Sequence, residues 1–121
     1  MQTFLPLPDF HKSLACLDSK RLGKQRLETF QILKVLRGES EAWKNHPAVK
    51  MWMGFDNSLI EYFNLNVDIW MRRGYKNTYE YIPFIENKTF ADPPWFGDDA
   101  FHASHRSNLL RKNPEHYGKL G

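Results

Sequence analysis

DSKRLGKQRLETFQILKVLRG, residues Asp18 to Gly38, reads as one long helix and sets the expected fold class. Asp18 is an N-cap residue whose carboxylate can take a free N–H of the first turn. Gly38 stands where a left-handed residue ends a helix. Between them no proline interrupts Ser19 to Arg37. Leu22, Phe30, Leu33 and Leu36 recur at helical spacing, flanked by Leu27 and Ile32.

The same signals extend outward. Asp9 caps a short segment running to about Leu17, with Phe10, Leu14 and Leu17 on one side. His46 and Pro47 open a short helix through about Trp52, with proline at its first position. Asp56 caps a helix carrying Leu59, Ile60, Phe63, Val67 and Trp70, ended by Gly74. Residues 75–98 contain Pro83, Pro93, Pro94 and Gly97, and read as an irregular crossing loop packed through Tyr79, Tyr81, Phe84, Phe90, Trp95 and Phe96. Asp98 or Asp99 caps a last helix to about Lys112, and Pro114 begins a final turn held by Tyr117. No alternation long enough for a strand occurs. The expected class is all-α: a compact single-domain helical bundle over residues 1–121, with a long irregular loop before the last helix.

The chain of 121 residues is 41% hydrophobic and 26% charged, which excludes disorder as a description of the whole. A chain of this size buries enough surface to fold without a disulfide or metal staple. Its apolar runs are too short for a membrane span. The opening MQTFLPLPDFHK, with Pro6, Pro8 and Asp9, does not read as a signal peptide. The single Cys16 fits a reducing, cytoplasmic setting and lies among apolar neighbours, as a core residue would. A monomer is expected.

Lys and Arg number 17 against 14 Asp and Glu, a net charge of +3, and their distribution says more than the sum. Lys20, Arg21, Lys24 and Arg26 lie in a stretch with no acid; Arg72, Arg73 and Lys76 form a second group, and Arg106, Arg111 and Lys112 a third. At 100° per residue, with Leu22 at zero, Leu33 falls near 20° and Leu36 near 320°, while Lys20, Lys24, Glu28 and Gln31 fall between roughly 160° and 240°. Arg21 and Gln25 are read as bordering that polar face. One carboxylate, Glu28, thus sits among basic and amide groups. That is either a solvated face with weak ion pairs or a carboxylate held beside phosphate-binding cations, useful where positive charge develops. Arg26, near 40°, falls inside the apolar stripe. It needs a structural partner, or it points its fork into a cleft. His102 and His105 share a helix face three residues apart and, with His46, make a weak metal trio or a set of phosphate donors.

RLGKQRLE, Arg21 to Glu28, followed by TFQILKVLRG to Gly38 and by Asn45-His46-Pro47, resembles the pyrimidine-dimer DNA glycosylase family, the endonuclease V type of UV-repair enzyme. The tail SHRSNLLRKNPEHY, Ser104 to Tyr117, is similar to that family's closing helix and Pro-x-x-Tyr end. The resemblance implies a compact all-α enzyme that flips a nucleotide from double-stranded DNA, excises a damaged or modified pyrimidine and nicks the strand, with no metal or other cofactor. It implies a nucleophile at the α-amino group of the first residue and a catalytic glutamate on the long helix, matched here by Glu28. The family's well-known members lose Met1 to expose a small threonine. Gln2 is too large for that removal, so the matching amine is that of Met1, and a basic neighbour is replaced by Gln2. An α-amine is roughly one-tenth neutral at pH 7, far more than lysine. The expected DNA contacts are Gln2, Lys20, Arg21, Lys24, Arg26, His46, His105, Arg106 and Lys112. Two other readings stay open: a non-catalytic nucleic-acid-binding module, and a metal-dependent hydrolase built on His46, His102 and His105.

Overall fold

The computed structural model describes residues 2–118. Among them are six helices and no strands: α1 (Phe10–Ala15), α2 (Ser19–Leu36), α3 (Pro47–Lys50), α4 (Asp56–Arg72), α5 (Asp99–Lys112) and α6 (Pro114–Tyr117). The chain is all-α, as its periodicity requires. None of these helices is long and apolar enough to cross a membrane.

The caps explain the boundaries. Asp9 accepts from the Lys12 N–H and Asp18 from that of Arg21, while Asp98 accepts from Ala100. Gly38 follows the end of α2 with φ 76°. Three boundaries differ from expectation. Helix α1 stops at Ala15, and Leu17 closes a tighter turn onto the Leu14 carbonyl. Helix α3 is regular only to Lys50, the chain continuing in turns past Trp52. Phe55, not Asp56, is the N-cap of α4; Asp56 is buried in the first turn, where an acid meets the positive end of the helix dipole.

The core lies between α2 and α4, with α1 and the N-terminal segment beneath. Gly23 leaves room on α2 for the Trp70 ring of α4: a Cβ there would stand 3.0 Å from that ring. The buried face of α2 is Leu22, Gln25, Thr29, Ile32 and Leu33. Leu27, expected on its flank, is 47% exposed, since it lies on the far side of that arc.

The loop between α4 and α5 is held less by its aromatics than expected. Tyr79, Trp95 and Phe96 pack against the core, but Tyr81, Phe84 and Phe90 are exposed. Asparagine amides on α4 do the rest. Asn64 pairs with both the N–H and the carbonyl of Ile82, and Asn57 does the same for Ile85. These side chains supply the bonds that a neighbouring strand would give.

Candidate active site

Residues 2–7 run through the interior without regular secondary structure, bending from Pro6 onward, with Thr3, Phe4, Leu5 and Pro6 buried. Buried backbone groups must be paired, and here side chains pair them. Gln2 N–H donates to Glu28 Oε2 at 3.2 Å. Gln25 Nε2 donates to the Gln2 carbonyl at 2.6 Å, and Phe4 N–H donates to Gln25 Oε1 at 2.9 Å. Tyr62 Oη lies 2.8 Å from the Phe4 carbonyl. Leu5 N–H donates to His105 Nδ1 at 2.8 Å, and His102 Nδ1 donates to the Leu5 carbonyl at 2.7 Å. Arg106 Nη1 donates to the Pro6 carbonyl at 2.7 Å. Ser13 Oγ takes both polar groups of Leu7. The Thr3 hydroxyl accepts from Trp52 Nε1 at 3.0 Å. Helices α1, α2, α4 and α5 thus grip this N-terminal arm and bring its start to Glu28. Met1 lies outside the described residues.

Glu28 is half-buried and, among the described residues, is met by two N–H donors on the same oxygen: the Gln2 backbone and Gln25 Nε2 at 3.3 Å. Lys24 stands one turn before it on α2, and Gln31 nearly one turn after, both exposed. Toward the start of α2, a cavity of about 200 Å³ is lined by Asp18, Lys20, Arg21, Lys24, Lys112, Asn113 and Tyr117. Four of the sequence-derived basic residues therefore converge there, brought from α2 and the end of α5. The tail completes this corner, because the Tyr117 hydroxyl donates to Asp18 while accepting from its N–H. Arg21 also lies over the Phe4 ring, 5.2 Å from its centroid.

Other expected contacts are placed differently. His105 is buried between Leu5 and the Phe101 ring, so it holds the arm instead of facing solvent. His102 uses both ring nitrogens, Nδ1 on Leu5 and Nε2 as acceptor of the Gly97 N–H. His46 Nδ1 caps α3 by accepting from Ala48. The metal trio is thereby taken apart, and no group of three or more His, Cys, Asp or Glu is placed to hold an ion among the described residues. Arg26 has no carboxylate partner among the described residues. Its guanidinium lies 4.6 Å from the Trp70 ring and 5.1 Å from that of Tyr79, and Nη1 donates to Asn77 at 2.7 Å. Aromatic faces and Asn77 thus take the cation in the apolar stripe, while its buried Nε has no hydrogen-bond partner among the described residues. Arg106 is tied to the arm, and Arg73 to the Ala15 carbonyl and Ser19 Oγ. Burial pushes the Cys16 thiol up, as befits a packing residue.

Burial, with His102 nearby, lowers His105 to about 4. Its Nδ1 must stay unprotonated to accept the Leu5 N–H. The unfolded chain binds this proton near pH 6.5, the native protein only near 4, so stability is full above 6.5 and falls as pH drops toward 4. The loss is on the order of 3 kcal/mol. Urea denaturation of wild type and His105→Gln at pH 7 and pH 4.5 checks this. The glutamine oxygen can accept from Leu5, so the variant is expected to lose distinctly less stability on acidification. Equal losses would remove His105 from the acid response.

Gln25 and Tyr62 escaped the sequence reading. At 100° per residue Gln25 falls near 300° from Leu22, on the buried side. The angle was available, but the side chain's polarity argued against it.

The sequence model of the pyrimidine dimer DNA glycosylase family matches residues 1–83, more than half of the chain, and the chain belongs to that family. The match takes in the N-terminal arm, Gln25, Glu28 and Tyr62. Neither a curated protein nor a solved structure matches the chain.

Proposed function

We propose that this member of the pyrimidine dimer DNA glycosylase family excises a damaged pyrimidine by attack of the Met1 α-amine on the sugar, and then nicks the strand at the abasic site. The observation that supports this most is the hydrogen bond from the Gln2 N–H to Glu28 Oε2. Only the Met1 Cα and carbonyl carbon separate the α-amine from the Gln2 nitrogen, so covalent geometry keeps the two nitrogens within about 4 Å. The amine therefore stays within about 7 Å of Glu28 Oε2 by covalent geometry alone.

In this mechanism the lone pair of the neutral amine forms a bond to C1′. The glycosidic C1′–N1 bond breaks, and its electron pair leaves with the pyrimidine, which takes a proton from solvent. The new C–N group loses a proton, and the sugar ring opens as O4′ takes one up, leaving a protonated imine. Glu28 offsets the positive charge that develops on the sugar. As a base it then removes a C2′ proton, and the electrons expel the 3′ phosphate in β-elimination. Water hydrolyses the imine and returns the amine. Lys20, Arg21, Lys24 and Lys112 hold the phosphate backbone of double-stranded DNA, and no cofactor enters.

Borohydride reduction tests the imine. With duplex DNA containing an abasic site, a covalent adduct is expected, and mass spectrometry should find the DNA remnant on the amine of the N-terminal peptide. A remnant on a lysine would reassign the nucleophile. Absence of any adduct would leave a DNA-binding module without this chemistry.

A further inference from the structure

Gln25 is fully buried, yet each of the four hydrogen-bonding positions of its amide faces a polar partner. Oε1 accepts from the Phe4 N–H at 2.9 Å and faces the Tyr62 hydroxyl at 3.0 Å. Nε2 donates to the Gln2 carbonyl at 2.6 Å and to Glu28 Oε2 at 3.3 Å. One rigid group therefore spans the start of the N-terminal arm and the carboxylate one helical turn away on α2. The Tyr62 proton serves either Gln25 Oε1 or the Phe4 carbonyl, and burial keeps that phenol protonated, so the amide is braced from α4. Downstream, the arm has independent anchors at Leu5, Pro6 and Leu7. Upstream of Phe4, the backbone bonds of the arm go to Gln25 and Glu28 alone among the described residues.

We infer that Gln25 is the positioning residue of the site: its amide ties the Gln2 backbone, to which the chain's α-amine is covalently joined, to the Glu28 carboxylate. This rests on the amine–carboxylate chemistry proposed above. Gln25 makes no contact with substrate in this scheme; its one contact with the reacting groups is the bond to Glu28 Oε2. It acts through the two groups it joins, and misplacement of a reacting group by about 1 Å can cost about 100-fold in rate. The groove of Lys20, Lys24 and Lys112 does not depend on it, so binding and chemistry should separate.

The test uses the full chain carrying Gln25→Met, which keeps the volume and removes the amide's polar contacts. Single-turnover imine trapping on an abasic duplex should slow about 100-fold at saturating protein, with DNA affinity within about twofold of wild type. Amide exchange without DNA should speed up at least tenfold at Gln2 and Phe4 but not at Leu5, which His105 holds. If the methionine variant does not fold, Gln25→Asn decides by the same criteria, because it keeps the amide but withdraws it by one methylene. A folded variant as fast as an active wild type overturns the positioning role alone. So does a variant whose rate and affinity fall in proportion, or one whose Gln2 and Phe4 amides stay protected. A wild-type protein that traps no adduct overturns the imine chemistry itself, and the positioning role with it.

Discussion

Glu28→Gln is expected to leave folding and DNA affinity intact while lowering strand cleavage by about 10²–10³-fold. Both donors to Glu28 converge on the same oxygen, Oε2. A glutamine placing its carbonyl oxygen there would keep both bonds, its NH2 group taking the place of Oε1. The substitution therefore removes a charge and a base but little structure. An amide cannot accept the C2′ proton, and it stabilises a cationic sugar far less than a carboxylate does. The measurement is single-turnover nicking of a duplex carrying one pyrimidine dimer, beside filter binding of the same duplex. A variant that binds and nicks like wild type would take Glu28 out of the mechanism.

Much of this site was legible in the sequence because it lies on one well-marked helix. Asp18 and Gly38 delimit α2, and helical spacing alone puts Lys20, Lys24 and Glu28 on one face. What lay hidden is the polar interior. Periodicity treats a glutamine, a tyrosine hydroxyl or a histidine as solvent-seeking, yet Gln25, Tyr62, His102 and His105 are all buried. They are buried because an irregular arm with no neighbouring strand passes through the core, and its backbone groups need partners. That demand arises from residues about 20 to 100 positions away, such as Phe4 for Gln25 and Leu5 for His105. Local spacing carries no trace of it. Arg26 shows the reverse: its oddity was visible, but Trp70 comes to it from α4, and Asn77 and Tyr79 from the loop beyond. The exposed Tyr81, Phe84 and Phe90 mark the limit of counting aromatics as core, since Asn57 and Asn64 already fasten that loop.

The cationic groove separates binding from chemistry, and neutralising it should give the mirror image of Glu28→Gln. Lys20, Lys24 and Lys112 line one cavity of about 200 Å³ and make no ion pair among the described residues. Arg21 is better left in place, because its guanidinium also covers Phe4 and its loss would disturb the arm. If each lysine neutralises one phosphate, the triple replacement by alanine should flatten the plot of log affinity against log salt by up to about three. At about 0.1 M salt this corresponds to an affinity loss of roughly 10²–10³-fold on any duplex sequence. The single-turnover rate at saturating protein should stay close to wild type, because Glu28 and the arm lie beyond the groove. Duplex titrations at several salt concentrations, with and without a lesion, read both quantities. A salt slope equal to wild type would mean that the three lysines only face solvent. A rate that fell with the affinity would mean that the groove also sets the geometry at Glu28, which its hydrogen bonds to Gln2 and Gln25 speak against.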